Sequence, residues 1–183
     1  MKGLRVLASL LVLLILISIS NAADINNIFN AYKNKDIKLC FKQISINGMT
    51  GQKIEKNGIL FIKAKKEMVF DYGNEKVLID NFKAVDVKGK TETVYKLTGF
   101  NKVLFLMFLG KKELSELFEI ENTDNKTFKL LPKYDSNIES VYVEFLKDKV
   151  KNIKITDIYA NKTIYYFYAL PCKRASQRDK TTN

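Results

Sequence analysis

The chain has 183 residues, with 31 basic against 20 acidic side chains, a formal charge of +11 and no histidine. Lacking histidine, it lacks the commonest general base and metal ligand of neutral-pH chemistry. Its positive charge is almost all lysine, scattered in ones and twos. That is a solvated surface with weak steering toward anionic membranes or acidic partners, and not the clustered Arg–aromatic surface that nucleic acid requires.

The first element is a leader. Lys2 and Arg5 precede Val6 to Ile17, a run that is apolar except for Ser9, and Ser20-Asn21-Ala22 offers the small residues that a signal peptidase accepts. A membrane anchor is the competing reading, but a span needs about 20 apolar residues, and Ser18, Ser20 and Asn21 cut this run short. Residues 1–22 are therefore expected to be a signal peptide cleaved near Ala22, residues 23–172 a single exported domain, and residues 173–183 a disordered basic tail. Losing Lys2 and Arg5 leaves 29 basic against 20 acidic residues, a net +9. The roughly 160 remaining residues suffice for one domain with a real core. No cysteine closes the apolar run, and the nearest, Cys40, sits well past any processing site, so there is nothing to lipidate.

Asp24 to Ile37 reads as a helix, because Ile25, Ile28, Phe29 and Tyr32 recur at i, i+3, i+4 and i+7, with Asp24 as cap. From Lys38 the period changes, and Leu39 to Ile44 reads as a strand. Strands are then expected at Gly58–Lys63, Met68–Tyr72, Val77–Asp80, Ala84–Val87, Thr91–Lys96, Leu117–Ile120, Thr127–Leu131, Val141–Phe145, Val150–Thr156 and Thr163–Leu170. Turn chemistry separates them at Asn47-Gly48, Thr50-Gly51, Tyr72-Gly73-Asn74, Asp80-Asn81, Lys88-Gly89-Lys90, Asn122 to Asn125, Lys147-Asp148 and Ala160-Asn161. Strands this regular predict a mainly β fold, an antiparallel sheet curling into a barrel or half-barrel, with a two-sheet sandwich as the rival.

One segment breaks the pattern. Val103 to Leu109 is apolar on every side, and Gly110 parts it from a second helical piece, Lys112 to Leu117. A helix that is apolar all round must be surrounded: it either plugs an apolar interior or lines one that something else fills.

No catalytic arrangement accompanies these elements. There is no Gly-x-Ser-x-Gly elbow, no Gly-rich phosphate loop, and two distant cysteines make no zinc site. Glu113, Glu116 and Glu119 read as a solvated face. Asn125-Lys126-Thr127 and Asn161-Lys162-Thr163 match glycosylation sequons, but asparagine is also a favoured turn residue. Cys40 and Cys172 either pair in an oxidising compartment or pack as small buried hydrophobes. No catalytic residues, metal or cofactor are expected; the chain reads as a binding protein, with a small secreted enzyme as a minor alternative.

At the central hairpins the chain resembles a known family. Gly58-Ile59-Leu60-Phe61-Ile62-Lys63, Met68-Val69-Phe70-Asp71-Tyr72 and Val77-Leu78-Ile79-Asp80-Asn81 are similar to the "G-x-L-x-I-K-R-P … F-x-W-x-Y … L-V-S-D-G" run of the periplasmic outer-membrane lipoprotein carriers, the LolA family. Leu39 to Gln43, Phe128 to Lys133, Val141 to Phe145 with Ile153 to Asp157, and Asn161 to Thr163 keep that family's order, so the resemblance covers residues 24 to 170. It implies an incomplete antiparallel barrel with a helical lid over an apolar cavity. It also implies a monomeric periplasmic carrier that takes lipoproteins by their acyl chains from an inner-membrane ABC-type exporter and delivers them to an outer-membrane acceptor. The acceptor of that system shares the fold but is a lipoprotein, and without a lipidation cysteine the carrier is favoured. A sensor or scaffold of the same fold, binding lipid or protein without shuttling, is the alternative.

Three departures stand out. Ala64-Lys65 replaces the family's Arg-Pro, whose arginine is associated with holding the lid closed; Asn81 replaces a turn glycine; and no final "F-x-F-x-x-P-x-G" segment is found. The expected lipid-binding cavity is lined by Phe61, Met68, Phe70 and Tyr72 from the strands and by Leu104, Phe105, Met107 and Phe108 from the lid helix. A Cys40–Cys172 bridge would fasten the two ends of the sheet.

Overall fold

The computed structural model describes residues 25–169 and Cys172, apart from Asn81, Phe82, Asn125 and Asp135. The expected leader, the C-terminal tail, Asn81 of the Asp80-Asn81 turn and the sequon asparagine Asn125 lie outside the described residues.

One antiparallel sheet of 11 strands makes up most of the protein. Strands β1 (Ile37–Ile46), β2 (Lys53–Lys63), β3 (Glu67–Asp71), β4 (Glu75–Asp80), β5 (Lys83–Lys88) and β6 (Thr91–Lys96) form one meander. A second comprises β7 (Phe118–Asp124), β8 (Thr127–Pro132), β9 (Ile138–Leu146), β10 (Lys149–Asp157) and β11 (Lys162–Tyr168). Each strand pairs with its chain neighbour, and a single long-range seam joins the meanders: β1 pairs with β11, from Cys40 opposite Tyr168 to Ile46 opposite Lys162. The sheet is open, with β6 and β7 as its edges. Every residue of β6 is exposed, and its Glu92 and Lys96 suit an unpaired edge.

Between the edge strands the chain crosses as α2 (Gly99–Leu109) and α3 (Leu114–Leu117). The all-apolar segment is therefore helical, and the strands of the described residues form one sheet, not the two of a sandwich. Val103 to Leu109 is buried without a break, which places α2 against the inner face of the sheet. An earlier helix, α1, covers residues 25–33. It ends four residues before the expected limit because the apolar stripe stops at Tyr32 and β1 already begins at Ile37. The strand β2 starts five residues earlier than expected. Its Lys53 to Asn57 are exposed and, apart from Ile54, polar, so no alternation marks them, yet they complete the ladder with Lys42 to Ile46 of β1.

Register decides what faces inward, since directly opposed residues share a face. One inner ladder runs across five strands as Ile37, Ile62, Met68, Ile79 and Ala84; the next runs Leu39, Leu60, Phe70, Val77 and Asp86. Gly58 stands opposite Phe41, where a Cβ would lie 2.7 Å from the Phe41 ring and 2.6 Å from the Asp71 carbonyl oxygen. Its missing side chain makes room for that ring at the seam. Phe41, Phe128, Leu130, Val141, Val143, Phe145, Ile153, Ile155, Tyr165 and Phe167 join α1 and α2 in one core.

Candidate functional site

The inner face of the sheet and the two long helices enclose an apolar interior. Of the residues expected to line it, Met68, Leu104, Met107 and Phe108 have no exposed surface, Phe70 is 1% exposed, and Phe105 is buried. Tyr72 is partly buried and packs against the same cluster. Phe61 is not part of it. Its partners are Lys38 and Val69, while its neighbours Leu60 and Ile62 point inward, so Phe61 lies on the outer face with the Lys38 ammonium 5.0 Å from its ring centre. Strand alternation allowed either choice, and register settles it.

Phe108 is the hub of the helical filling. Its ring lies 5.3 Å from Phe29 and 5.4 Å from Tyr32 of α1, and 6.2 Å from Phe167 of β11. Phe29 in turn meets Phe145 of β9 at 6.0 Å. The concave space is thus occupied by the protein's own side chains. Toward one end the interior turns polar. The Tyr72 hydroxyl donates to Gln43 Oε1 at 2.6 Å, and one carboxylate oxygen of Asp86 is buried without a partner among the described residues. Burial, with the nearby Tyr165, Glu75, Tyr95 and Asp86 charges, pushes the Tyr72 phenol far up.

A small set of polar contacts holds α1 down. Asn26 Oδ1 accepts from the Leu114 backbone N–H at 2.9 Å, and its Nδ2 donates to Ser115 Oγ at 3.2 Å. Asn30 Nδ2 donates to the Glu113 carboxylate at 3.2 Å, and Lys33 Nζ donates to the Lys112 carbonyl at 3.0 Å. Burial lowers the Lys33 pKa, against the pull of Glu113 and Glu116. On the sheet side, the Val150 N–H donates to the Tyr32 hydroxyl at 3.1 Å. Burial raises the Tyr32 phenol pKa, and that hydrogen bond partly offsets the rise. At Ala64, where the family resemblance points to arginine, the backbone N–H instead donates to Asp36 Oδ1 at 2.9 Å.

Sequence reasoning took Glu113 and Glu116 for a solvated face. They form a reciprocal capping box on α3, and Glu113 also anchors α1. A signal was present: Asn26 and Asn30 sit four apart on a helix, where asparagine is disfavoured unless it has a partner.

Beside α1 a groove of about 790 Å³ opens between residues 31–39, the β9–β10 hairpin and the end of β11. Ala31, Tyr32, Ile37, Leu39, Val150 and Phe167 give it an apolar wall. Cys40 and Cys172 are disulfide-bonded, their Cα atoms 5.4 Å apart, next to this groove at the end of the β1–β11 seam. On the opposite rim the sequon residue Asn161 ties two hairpins together. Its Oδ1 accepts from the Gly48 N–H at 2.9 Å, and its Nδ2 donates to Asp157 at 2.9 Å.

An open antiparallel sheet wound around an all-apolar helix defines a half-barrel with a helical filling. The family model for the outer membrane lipoprotein carrier protein LolA matches residues 33–180, and the chain belongs to this family. Among curated proteins none matches the sequence. Among solved structures, a LolA superfamily protein from Nitrosomonas europaea is 5% identical, with 78% of this chain and 90% of that one covered and a TM-score of 0.42. A DUF1329 family protein from Desulfovibrio piger is 10% identical, with 82% and 91% covered and a TM-score of 0.44. At those scores neither adds to the argument.

Proposed function

We propose that this protein is a periplasmic carrier. It takes lipoproteins by their acyl chains from an inner-membrane ABC-type exporter and hands them to an outer-membrane acceptor. The observation that carries the reading is α2: a helix apolar on every side, buried from Val103 to Leu109 against an open sheet, with an apolar groove beside it. Family membership supports the same reading.

The mechanism needs no bond chemistry. With cargo absent, Leu104, Met107 and Phe108 fill the interior; with cargo present, acyl chains take over their contacts with Met68 and Phe70. Each buried methylene contributes about 0.8 kcal/mol, so one chain offsets the loss of several side-chain contacts and of the polar clasp on α1. Methionines at 68 and 107 suit a wall that must repack, being unbranched and soft. Because chains exchange one apolar surface for another, delivery requires only an acceptor whose surface is more accessible.

The test is release of lipoprotein from inner-membrane vesicles bearing the exporter, with the mature chain added. Wild-type protein should draw triacylated lipoprotein into the supernatant. Ile37→Glu, on the partly buried groove wall, should keep a folded melting profile and release little. The carrier reading fails if no lipoprotein leaves the vesicles with wild-type protein. The groove assignment fails if Ile37→Glu releases as wild type does.

A further inference from the structure

The two rims of the half-barrel differ in charge. Strand directions place the start of β1, the ends of β9 and β11, Lys126, and the 64–66 and 147–148 turns on one rim. Lys35, Lys65, Lys66, Lys126, Lys147 and Lys149 are all exposed there. The nearby acids are fewer and partly engaged: Asp36 accepts from the Ala64 N–H, Asp124 from the Lys126 N–H at 2.7 Å, Glu67 pairs with Lys63, and Asp80 stands opposite Glu67. Lys38 and Lys151 also line the groove but are engaged, over the Phe61 ring and with Glu144 at 2.6 Å. Lys35 and Lys149 have no carboxylate partner among the described residues, and Asp148 is the acid beside them. At the tip of the β9–β10 hairpin Leu146 is 57% exposed between these lysines, and Tyr168 is 39% exposed across the groove. The sequence after Cys172, tied to β1 by the disulfide, continues with Lys173-Arg174.

The opposite rim also exposes apolar side chains: Met49, Ile54, Ile158 and Tyr159. Its lysines are more often met by acids, Lys56 by Glu75 and Lys76 by Asp71, although Lys88 and Lys90 stay exposed on one hairpin. Lys42 and Lys53 both pair with Glu55, at 2.7 and 2.5 Å, and Asp157 is consumed inside its own turn. That patch lacks the lysine ring.

We propose that the basic rim docks on an anionic bilayer, with Leu146 and Tyr168 at the headgroup boundary and the lysines on lipid phosphates. An exposed apolar residue flanked by lysines combines the two terms that hold a protein at an interface, apolar burial and attraction to anionic lipid. Lysine stems lie along the apolar surface while their ammonium groups stay with the phosphates. Docked this way, the groove mouth faces the bilayer. The proposal goes beyond the carrier reading and does not depend on it, because bare lipid is the ligand.

The experiment is co-sedimentation of the mature chain with vesicles of phosphatidylcholine alone or with 30% phosphatidylglycerol, free of cargo and exporter. Binding should need phosphatidylglycerol and be lost at 0.5 M salt, where screening shortens to a few ångströms. Lys147→Glu with Lys149→Glu should weaken it on the order of a hundredfold. Lys88→Glu with Lys90→Glu, the same charge change on a hairpin of the other rim, should leave it unaltered. Leu146→Ser, at an exposed position, should cost about tenfold. Equal binding to both vesicle types, or equal loss in the two lysine pairs, overturns the proposal. Failure of lipoprotein release with intact vesicle docking would instead count against the carrier reading alone.

Discussion

The two rims of the sheet are held in different ways. On the rim formed by the β1–β2 and β10–β11 hairpins, the turns lock into each other. The Asn47 side chain accepts from the Met49 and Thr50 N–H groups, Asp157 accepts from Tyr159 and Asn161, and Gly48 donates across to Asn161. On the basic rim the local bonds stay inside single hairpins, as from the Lys66 N–H to the Lys63 carbonyl and from the Lys126 N–H to Asp124, and the links between distant elements are the Cys40–Cys172 bridge, Tyr32 to Val150, and Asp36 to Ala64. A rim built of local, mutually satisfied turns is stiff. A rim closed by single bonds between distant elements can open one bond at a time, and that is where the groove lies. On the carrier reading, opening for cargo falls at the basic rim, with the hairpin rim as the fixed end.

The largest expected effect is on the bridge. It spans a sequence separation of 132 residues across the one seam that joins the two meanders. Closing so long a loop stabilises by up to about 4–5 kcal/mol in the chain-entropy model. Cys40→Ala with Cys172→Ala should therefore lower the urea midpoint sharply, with the second meander unfolding together with the first. A double variant that melts as wild type does would show that hydrogen bonding along β1–β11 alone holds the seam.

On the stiff rim the sharpest probe is Gly48→Ala. A Cβ there would sit 2.3 Å from the Tyr159 carbonyl oxygen and 2.5 Å from the Ala160 carbonyl carbon, backbone atoms that cannot swing aside. The two hairpins must separate, at roughly 2–3 kcal/mol for forced overpacking. Thermal melts should show the loss, while groove-binding probes at the far rim should be unaffected. If groove binding changes as well, the rims are coupled and the division between a fixed and an opening end is wrong.

How far the sequence revealed this division follows from range. The strands, their turns and the apolar helix are local patterns of period 2 or 3.6, and they were legible. So were most interior residues, because Met68, Phe70 and Tyr72 share one face of an alternating strand. What escaped is long-range. The β1–β11 register, the clasp from Asn26 and Asn30 to α3, and the groove wall from Ile37, Leu39 and Phe167 depend on pairing between segments more than 80 residues apart. Phe61 shows the same limit within one hairpin. A strand apolar at Ile59, Leu60, Phe61 and Ile62 has no alternation to read, and only its register against β3 assigns the faces.

The smallest effect should also be the most specific. Tyr32→Phe keeps the ring between Phe29 and Phe108 and removes only the hydroxyl that accepts from the Val150 N–H. Val150 is buried, so its N–H loses a partner that water does not readily replace, at about 1–2 kcal/mol. Because this bond ties α1 to the sheet at the groove, the cost falls on local opening more than on global unfolding. Hydrogen exchange should quicken at residues 25–33 and at Val150, while exchange in the β1–β2 and β10–β11 hairpin turns stays at wild-type rates. A fluorescent acyl probe should bind faster to the variant, since the closed groove is the state that the lost bond favoured. Uniform quickening across both rims would mean that Tyr32 serves global stability only. Slower probe binding would mean that the groove is not the way in.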